Sequence, residues 1–503
     1  MTLMTKTAVW TQLKQHFKKV HDVRMCDLFK QQPDRFDQFN VKAAGLTLDY
    51  SKNRITVDTM RLLMKLAHEQ QLPQAIEGLV QGKVVNHSEQ RSAQHMSLRN
   101  ISNSSELLKQ SLAQMRQLVG RIREGGVIRT VIHIGVGGSL LGPRMTLKAL
   151  KQSIDTPINF HFISHFDKSV LQNLLLRLDP ESTLFVIASK SFGTAETLFN
   201  AKIAKQWAGN RNLQNNFIAV TAESERALAF GISKQNILNM WQSVGGRFSV
   251  WSAVGVTVAM AVGWNNFIEF LKGAELMDLH FKEADFHSNM PVIMGLLGVW
   301  YTNFFNAQTQ AIIPYSYPLM LLPNYFKQLH MESLGKNISQ QGEPLDYATG
   351  PIVWGGIGGN SQHSFHQLLM QGSHLVPVDF ILPLKSNGDV SRELIANCLA
   401  QAETLMRGYQ SENSYKSIPG NSPSNLILMP SLTPRTLGSL LALYEHKVFV
   451  QAVIWDINPF DQWGVERGKV LANTMLSQSA LGESDLERYV VEMLADVNRE
   501  VVL

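Results

Sequence analysis

One segment, ASKSFGTAET at residues 188–197, combines hydroxyl side chains with a lysine directly after an apolar run. Hydroxyl groups, a lysine and exposed N–H groups at the start of a helix are what a phosphate monoester needs. Ser189, Lys190, Ser191 and Thr194 are therefore candidate anion-binding residues. The alternative is an ordinary helix N-cap beside an exposed lysine, since Ser and Thr are preferred caps.

A glycine-rich loop, HIGVGGSLLGP at 133–143, also follows an apolar run. Glycines allow a tight turn that brings N–H groups against an anionic or polyhydroxyl ligand, which makes Gly138 and Ser139 candidate contacts. A dinucleotide fingerprint starting at Gly135 would need a third glycine where this chain has Leu140. Nucleotide binding and a tight turn without a ligand both stay open here.

The segment QLHMESLGK at 328–336 places a carboxylate in a predicted helix. Gln328 and Glu332 are four residues apart and hence on one face, and Gly335 is typical of the residue that follows a helix end. The negative end of the helix dipole would raise the pKa of the Glu332 carboxyl, which suits a base working near neutrality. The alternative is a solvated glutamate.

The segment VWGGIGGNSQHSFH at 353–366 predicts that His363 begins a helix. The positive end of the dipole would there lower the pKa of His363 and keep its imidazole neutral for proton transfer. The alternative is a structural histidine at a helix cap. The spacing from His363 to His366 lacks the glutamate and the i,i+4 geometry of a zinc helix, so we expect no metal site.

Two further segments hold charged residues among glycines. DQWGVERGKV resembles a P-loop, but it has three residues between its glycines, and Val470 stands where Ser or Thr must hold magnesium. On a helix, Gln462 and Lys469 would face the same way. In VGGRFS, Arg247 lies between glycines and an apolar stretch, which favours a fixed position over a solvated one.

Strand-like apolar runs alternate with helix-length segments and predict two parallel sheets that are covered on both faces. The first set of runs is VIRTVIHIG (127–135), INFHFIS (158–164), STLFVIAS (182–189) and NNFIAV (215–220). The second set is AIIPYS (311–316), VPVDFIL (376–382), SNLILM (424–429) and FVQAVIWDI (449–457). We predict an α/β fold with two doubly wound, mainly parallel sheets, a helical N-terminal layer and a helical C-terminal arm.

These patterns suggest four segments: a helical one at 1–115, α/β domains at 116–285 and 286–478, and a C-terminal helix at 479–503. The two sheets suggest an internal duplication. Apolar runs at 250–264 and 291–300 are too short to span a bilayer and are interpreted as buried helices.

The composition indicates an ordinary globular protein of 503 residues, 45% of them hydrophobic and 17% charged. The net charge of +5 is spread along the chain without a basic stripe, so we expect no nucleic-acid partner. Two distant cysteines and an N-terminus without an apolar signal region favour a cytoplasmic protein with no membrane segment.

Taken together and in order, these segments resemble the phosphoglucose isomerase family. The resemblance runs from FDQF (36–39) and LDYSKNRI (48–55) through IGVGGSLLGP, ASKSFGTAET, VGGRFSVWSAVG, QLHMESLGK and GGNSQHSFHQL to FDQWGVERGK. It implies two sugar-isomerase-type domains and a reversible conversion of glucose 6-phosphate to fructose 6-phosphate. The reaction would proceed by ring opening and a cis-enediol proton transfer between C2 and C1, without metal or cofactor.

The resemblance also implies roles for individual residues. Glu332 would be the base, His363 and Lys469 the ring-opening pair, and Arg247 the cation that stabilises the enediolate. The remaining matches are the phosphate-loop positions Ser189, Lys190, Ser191 and Thr194 and the sugar-contacting positions Gly138, Ser139, Gln328 and Gln462. The family's active site lies at a dimer interface, so a homodimer is implied in which the neighbouring subunit contributes His363.

The chain departs from the family pattern at several positions. Gly356 and Ile357 replace an acidic residue and a proline before the histidine, and Leu140, Leu334 and Ser191 replace Asp, Asn and Thr. The Gly356 change could lower turnover. Two rival functions remain: a nicotinamide-dependent oxidoreductase that uses the glycine loop, and a catalytically silent sugar-phosphate-binding regulator.

Overall fold

The computed structural model describes residues 3–209, 213–386, 389–477 and 484–500. The chain divides into two compact units, Met1–Phe460 and Asp461–Leu503, and each is described by itself.

The N-terminal segment is mainly helical, as predicted, but it also contains four short strands. The helices are α1 (Ala8–Val20), α2 (Met25–Gln31), α3 (Arg35–Gln38), α4 (Val57–Glu69), α5 (Leu72–Val80) and α6 (Glu106–Glu124). The strands are β1 (Asn40–Ala43), β2 (Leu46–Asp49), β3 (Val84–Asn86) and β4 (Arg91–Ser92).

The first large sheet has five parallel strands in the order β6-β5-β7-β8-β9. Its strands are β5 (Thr130–Ile134), β6 (Asn159–Ile163), β7 (Thr183–Ala188), β8 (Phe217–Thr221) and β9 (Ile237–Asn239). The first four confirm the predicted runs, whereas β9 was too short to be recognised. Because β5 lies between β6 and β7, the chain leaves the carboxyl ends of β5 and β7 in opposite directions, which creates a switch point in the sheet.

Helices cover this sheet and continue into the core. They are α7 (Gly138–Ala149), α8 (Lys168–Leu175), α9 (Ala195–Ala208), α10 (Leu213–Asn216), α11 (Ser224–Phe230), α12 (Val256–Val262), α13 (Trp264–Glu283) and α14 (Met290–Asn303). Every residue of α12 and nearly all of α14 are buried, which confirms the buried helices predicted from the two apolar runs.

The second large sheet follows the path β1-β2-β14-β12-β10-β11, with β13 paired to β12. Its later strands are β10 (Thr309–Pro314), β11 (Ile352–Gly355), β12 (Val378–Ser386), β13 (Asp389–Val390) and β14 (Ser424–Ser431). The pairs β11–β10, β10–β12 and β12–β14 are parallel, so this sheet repeats the strand order that opens the first one. The β1–β2 hairpin adds an antiparallel edge from the N-terminal segment, which the apolar runs did not predict.

The helices of this half are α15 (Leu322–Lys327), α16 (Gly358–Ser361), α17 (His366–Gln371), α18 (Arg392–Arg407) and α19 (Pro434–Ile454). The prediction of a strand at 449–457 is wrong, because those residues form the end of α19 and the turn after it. Thr433 and Thr436 form a capping box that starts this 21-residue helix. Its apolar end is buried on every side, so periodicity could not distinguish helix from strand.

Within the described residues, α19 is also the one helix long and apolar enough to cross a membrane by length and composition alone. Its most apolar window is completely buried in the protein, as in the central helix of a folded core.

The second compact unit contains α20 (Glu466–Ser477) and α21 (Asp485–Glu500). The predicted C-terminal helix corresponds to α21, while residues 478–483 and 501–503 lie outside the described residues.

Candidate active site

Two loops meet at the switch point of the first sheet. One follows β5 and contains Gly137, whose φ of +56° is readily adopted by glycine. The other follows β7 and runs from Ser189 to Thr194, ahead of α9. Because β5 and β7 are neighbours in register, both loops lie at the same edge, where open α/β sheets bind ligands.

The loop after β7 has the features of an anion site. The Ser189 and Thr194 hydroxyls hydrogen-bond to each other at 3.1 Å. Thr194 occupies the N-cap position of α9, but its side chain makes no capping bond, which argues against the ordinary N-cap interpretation. The Thr194 side chain therefore leaves the first-turn N–H groups of α9 available to an anion. Phe192 has a φ of +42°, the kind of backbone strain found at functional sites.

Two cations hold this loop through backbone carbonyls. Lys190 Nζ donates to the carbonyl oxygens of Gln242 at 2.7 Å and Val244 at 3.2 Å. Burial lowers the pKa of Lys190. Arg226 Nη1 donates to the Ser191 carbonyl at 2.9 Å. Nothing in the local sequence around Arg226 indicated this contact.

The loop after β5 is packed directly against the chain that carries the arginine. A Cβ atom on Gly138 would lie 2.0 Å from the carbonyl carbon of Gly246 and 2.5 Å from the Arg247 nitrogen, so only glycine fits there. A Cβ atom on Gly137 would lie 3.1 Å from Gln328 Nε2. The glycine loop, half-buried Ser139 beside it, Arg247 and Gln328 therefore belong to one site.

Arg247 is buried and firmly oriented. Its Nε donates to Ser333 Oγ at 2.6 Å, its Nη2 donates to the Pro459 carbonyl, and its Nη1 lies 3.5 Å from Glu332 Oε2. The prediction that Arg247 is fixed rather than solvated is confirmed, since it is 2% exposed. The sequence patterns did not identify Ser333 as a site residue, although its position directly after Glu332 could have indicated it.

Glu332 closes a π-helical turn, Gln328–Glu332, that continues α15. π-Helical turns are rare in proteins, and many of those that do occur lie at functional sites. Gln328 Nε2 donates to Glu332 Oε2 at 2.9 Å, which confirms that the two side chains share a face. The Glu332 side chain is 23% exposed, so the carboxylate is fixed by neighbours yet reachable. Gly335 follows the helix as predicted, and a Cβ atom there would lie 2.6 Å from the Met331 carbonyl oxygen.

The predicted placement of His363 at the start of a helix is wrong. His363 lies in the turn between α16 and α17, because the helix starts at Gly358 and stops at Ser361. Its side chain is exposed and makes no hydrogen bond or ion pair within the described residues. His366 is instead the structural histidine, bonded to Ser361 Oγ at 3.0 Å and Gln401 Oε1 at 3.1 Å.

Gln462 and Lys469 lie in the second compact unit. Their predicted common helix face is wrong, because α20 begins at Glu466 and leaves Gln462 outside it. Lys469 lies on α20, where its Nζ is 3.0 Å from Glu466 Oε1 and mostly exposed.

The described part of the first unit thus unites an anion loop, a glycine loop and a carboxylate beside a buried guanidinium. A carboxylate can remove a proton from carbon, and a guanidinium within reach can stabilise the oxyanion that results. Across the described residues, no group of three or more His, Cys, Asp or Glu side chains could hold a metal ion.

Comparisons with known proteins agree with this chemistry. A family model of phosphoglucose isomerase matches residues 49–487. The chain is 46% identical to the glucose-6-phosphate isomerase of Coxiella burnetii over 96% of this chain and 95% of that protein. It is 43% identical to that of Shewanella halifaxensis over 95% of both. The crystal structure of a glucose-6-phosphate isomerase from Chlamydia trachomatis superposes with a TM-score of 0.90 at 32% identity, covering 99% of this chain and 100% of that one. The chain belongs to the phosphoglucose isomerase family.

Proposed function

We infer that the protein is an aldose–ketose isomerase that interconverts glucose 6-phosphate and fructose 6-phosphate. The observation that carries this inference is the Glu332 carboxylate, held by Gln328 and Arg247 next to the two loops of the switch point. Family membership makes the sugar phosphate the substrate and places the reaction in glycolysis and gluconeogenesis. The oxidoreductase alternative lacks support, because the matched family is an isomerase family.

In the proposed mechanism the phosphate binds at the hydroxyls and N–H groups of Ser189, Ser191 and Thr194. This anchoring orients the open sugar chain over Glu332, which takes the proton from C2 and returns it to C1. Arg247 stabilises the negative charge that develops on the enediolate oxygens. Gly138, Ser139, Gln328 and Gln462 are proposed to contact the sugar. The reaction needs no redox cofactor or metal, because one base moves one proton.

We propose, from the family resemblance, that His363 and Lys469 open the sugar ring. Both side chains are exposed in the single chain. We propose a homodimer in which His363 completes the site of the neighbouring subunit. We also propose a cytoplasmic protein without nucleic-acid or membrane partners, and the segment boundaries 1–115, 116–285, 286–478 and 479–503.

The first test is conversion of fructose 6-phosphate by the purified protein, measured with a coupled dehydrogenase that detects glucose 6-phosphate. Glu332→Gln keeps the shape of the side chain but removes the base, so we expect turnover to fall by about a thousandfold or more. It should also stop deuterium entering the sugar at C1 or C2 in D₂O. Glu283→Gln, at an exposed position on α13, is the matched control and should change neither readout. An active Glu332→Gln protein would contradict the assignment.

The shared site is tested by mixing two inactive variants, Glu332→Gln and His363→Asn. In a hybrid dimer with crossed sites, one site carries both lesions and the other carries neither. Unfolding and refolding the two proteins together should therefore restore activity that neither has alone. Failure to restore it, with hybrid dimers demonstrated by mass spectrometry, would place His363 in the same subunit as its Glu332.

A further inference from the structure

We propose that Lys190 is a positioning residue whose ammonium ties the phosphate loop to the chain that carries Arg247, rather than a ligand of the phosphate. Phosphate binding would then help to fix the guanidinium beside Glu332. The proposal rests on the isomerase function inferred above.

The side chain of Lys190 reaches away from its own loop. Its Nζ donates to the carbonyl oxygens of Gln242 and Val244, at 2.7 and 3.2 Å. Its own carbonyl oxygen accepts from Thr221 Oγ1 at 3.1 Å and from the Ala222 nitrogen at 2.9 Å. Lys190 is therefore fixed at both ends, and it connects the end of β8 to the 242–247 segment.

The 242–247 segment has little freedom to absorb a shift. Val244 lies three residues before Arg247, and the Gly246 backbone between them is pressed against Gly138. Ser243 Oγ donates to Gln94 Oε1 at 2.6 Å on the N-terminal side. Displacement of the Val244 carbonyl is therefore transmitted to the Arg247 backbone, whose carbonyl is itself held by the Tyr325 hydroxyl.

The environment of the Lys190 ammonium favours this structural role. Two of its three N–H groups are used by carbonyl oxygens. Burial, and to a lesser degree the charge of Arg91, lowers the pKa of Lys190. The Ser189 and Thr194 hydroxyls and the first turn of α9 supply anion contacts that do not need the ammonium.

The test compares two ligands on the Lys190→Met protein, which keeps most of the side-chain length but loses the donors. Inorganic phosphate reports on the phosphate loop alone. 5-Phosphoarabinonate adds a carboxylate where the enediolate charge develops, so its affinity also reports on Arg247. We expect the dissociation constant of phosphate to stay within about threefold of the wild-type value. The dissociation constant of 5-phosphoarabinonate should rise by about tenfold or more, and kcat should fall by about tenfold or more.

Lys205→Met is the matched control, because Lys205 Nζ also donates to a backbone carbonyl, that of Phe230 at 2.7 Å, on the far part of α9. It should leave both affinities and kcat unchanged. Lys190→Gln is a second neutral variant, with a shorter side chain that ends in an amide. It serves for the same comparison if Lys190→Met does not fold.

Weaker phosphate binding by about tenfold in the neutral Lys190 variants would overturn the proposal and make Lys190 a phosphate ligand. Unchanged values for both ligands and kcat would overturn it as well. Failure of the inferred function is distinguishable, because the wild-type protein would then not convert fructose 6-phosphate.

Discussion

At the scale of single residues, the Ser333 hydroxyl is a side-chain contact that orients Arg247, in addition to the Glu332 carboxylate. It is buried and accepts from Arg247 Nε at 2.6 Å. A hydrogen bond to a charged group is worth about 1.5–3 kcal/mol, so Ser333→Ala should lower kcat by about 10- to 100-fold. Steady-state kinetics with fructose 6-phosphate would measure this, and KM should change less than kcat.

Ser439→Ala is the control for this prediction. Ser439 is also buried in a helix, and its hydroxyl donates to the Gly273 carbonyl at 2.8 Å. Ser439→Ala should lose about 0.5–1.5 kcal/mol of unfolding free energy, as expected for a neutral hydrogen bond, whereas kcat should fall only in Ser333→Ala. Equal kcat values in both would contradict a role for Ser333 in aiming Arg247.

The sequence could predict residues whose relations are local. The shared face of Gln328 and Glu332 follows from their spacing and is confirmed by their hydrogen bond. The Pro459 carbonyl that holds Arg247 is 212 residues away in sequence and carries no side-chain signal. His363 was misplaced because the glycines before it form a helix of their own, with Gly358 close against the Tyr315 ring.

At the scale of elements, the contact between α7 and the 242–247 segment depends on the absence of a side chain at Gly138. An added Cβ would meet backbone atoms 2.0–2.5 Å away, which cannot move without displacing Arg247. Gly138→Ala should therefore lose about 1–3 kcal/mol of unfolding free energy and at least about a hundredfold in kcat. Denaturant unfolding and kinetics would measure the two effects.

Gly120→Ala on α6 is the matched control. The nearest atom to its added Cβ is Glu124 Oε1 at 3.7 Å, an ordinary contact. Alanine favours a helix over glycine, so this variant should be about 0.5–1 kcal/mol more stable, with kcat unchanged. A Gly138→Ala protein that behaves like Gly120→Ala would show that the two backbones can separate without harm.

Strands that are bounded by glycines or polar loops could be predicted from the sequence. In fully buried segments the sequence pattern did not distinguish helix from strand. β5, β7 and β12 were found because short apolar runs end at glycines or polar loops. The run at 449–457 looks the same locally, but it is the end of α19, whose start signal lies at Thr433. The end of α19 is apolar on every face because the folded protein buries it on all sides, and the local sequence does not reveal that burial.

At the scale of the whole molecule, the two sheets repeat one strand order, which supports the duplication suggested by the sequence. The N-terminal hairpin β1–β2 nevertheless pairs with β14, almost at the other end of the first unit. Such a long-range pairing has no local signature in the sequence. The sequence therefore predicted the two large sheets but not the β1–β2 edge of the second sheet.

The stability of the molecule toward acid depends on histidines that are buried in the neutral state. His133 on β5 lies between the Ser139 carbonyl at 2.7 Å from Nε2 and the Thr257 hydroxyl at 2.8 Å from Nδ1. Burial lowers the pKa of His133 to about 4. In the unfolded chain it titrates near 6.5. The unfolded state therefore binds a proton between pH 6.5 and 4 that the native state does not, and stability is lost as the pH falls through this window.

His133→Gln replaces the imidazole with an amide that can still donate to Ser139 and does not titrate. Between pH 7 and pH 5 the wild-type protein should lose about 2 kcal/mol more unfolding free energy than this variant. Burial also lowers the pKa of His95, His330 and His446 and raises that of Glu445, but these groups are the same in both proteins and cancel in the difference. Denaturant unfolding at the two pH values measures the slopes, and equal slopes would mean that His133 is already protonated in the native protein or remains neutral in the unfolded one.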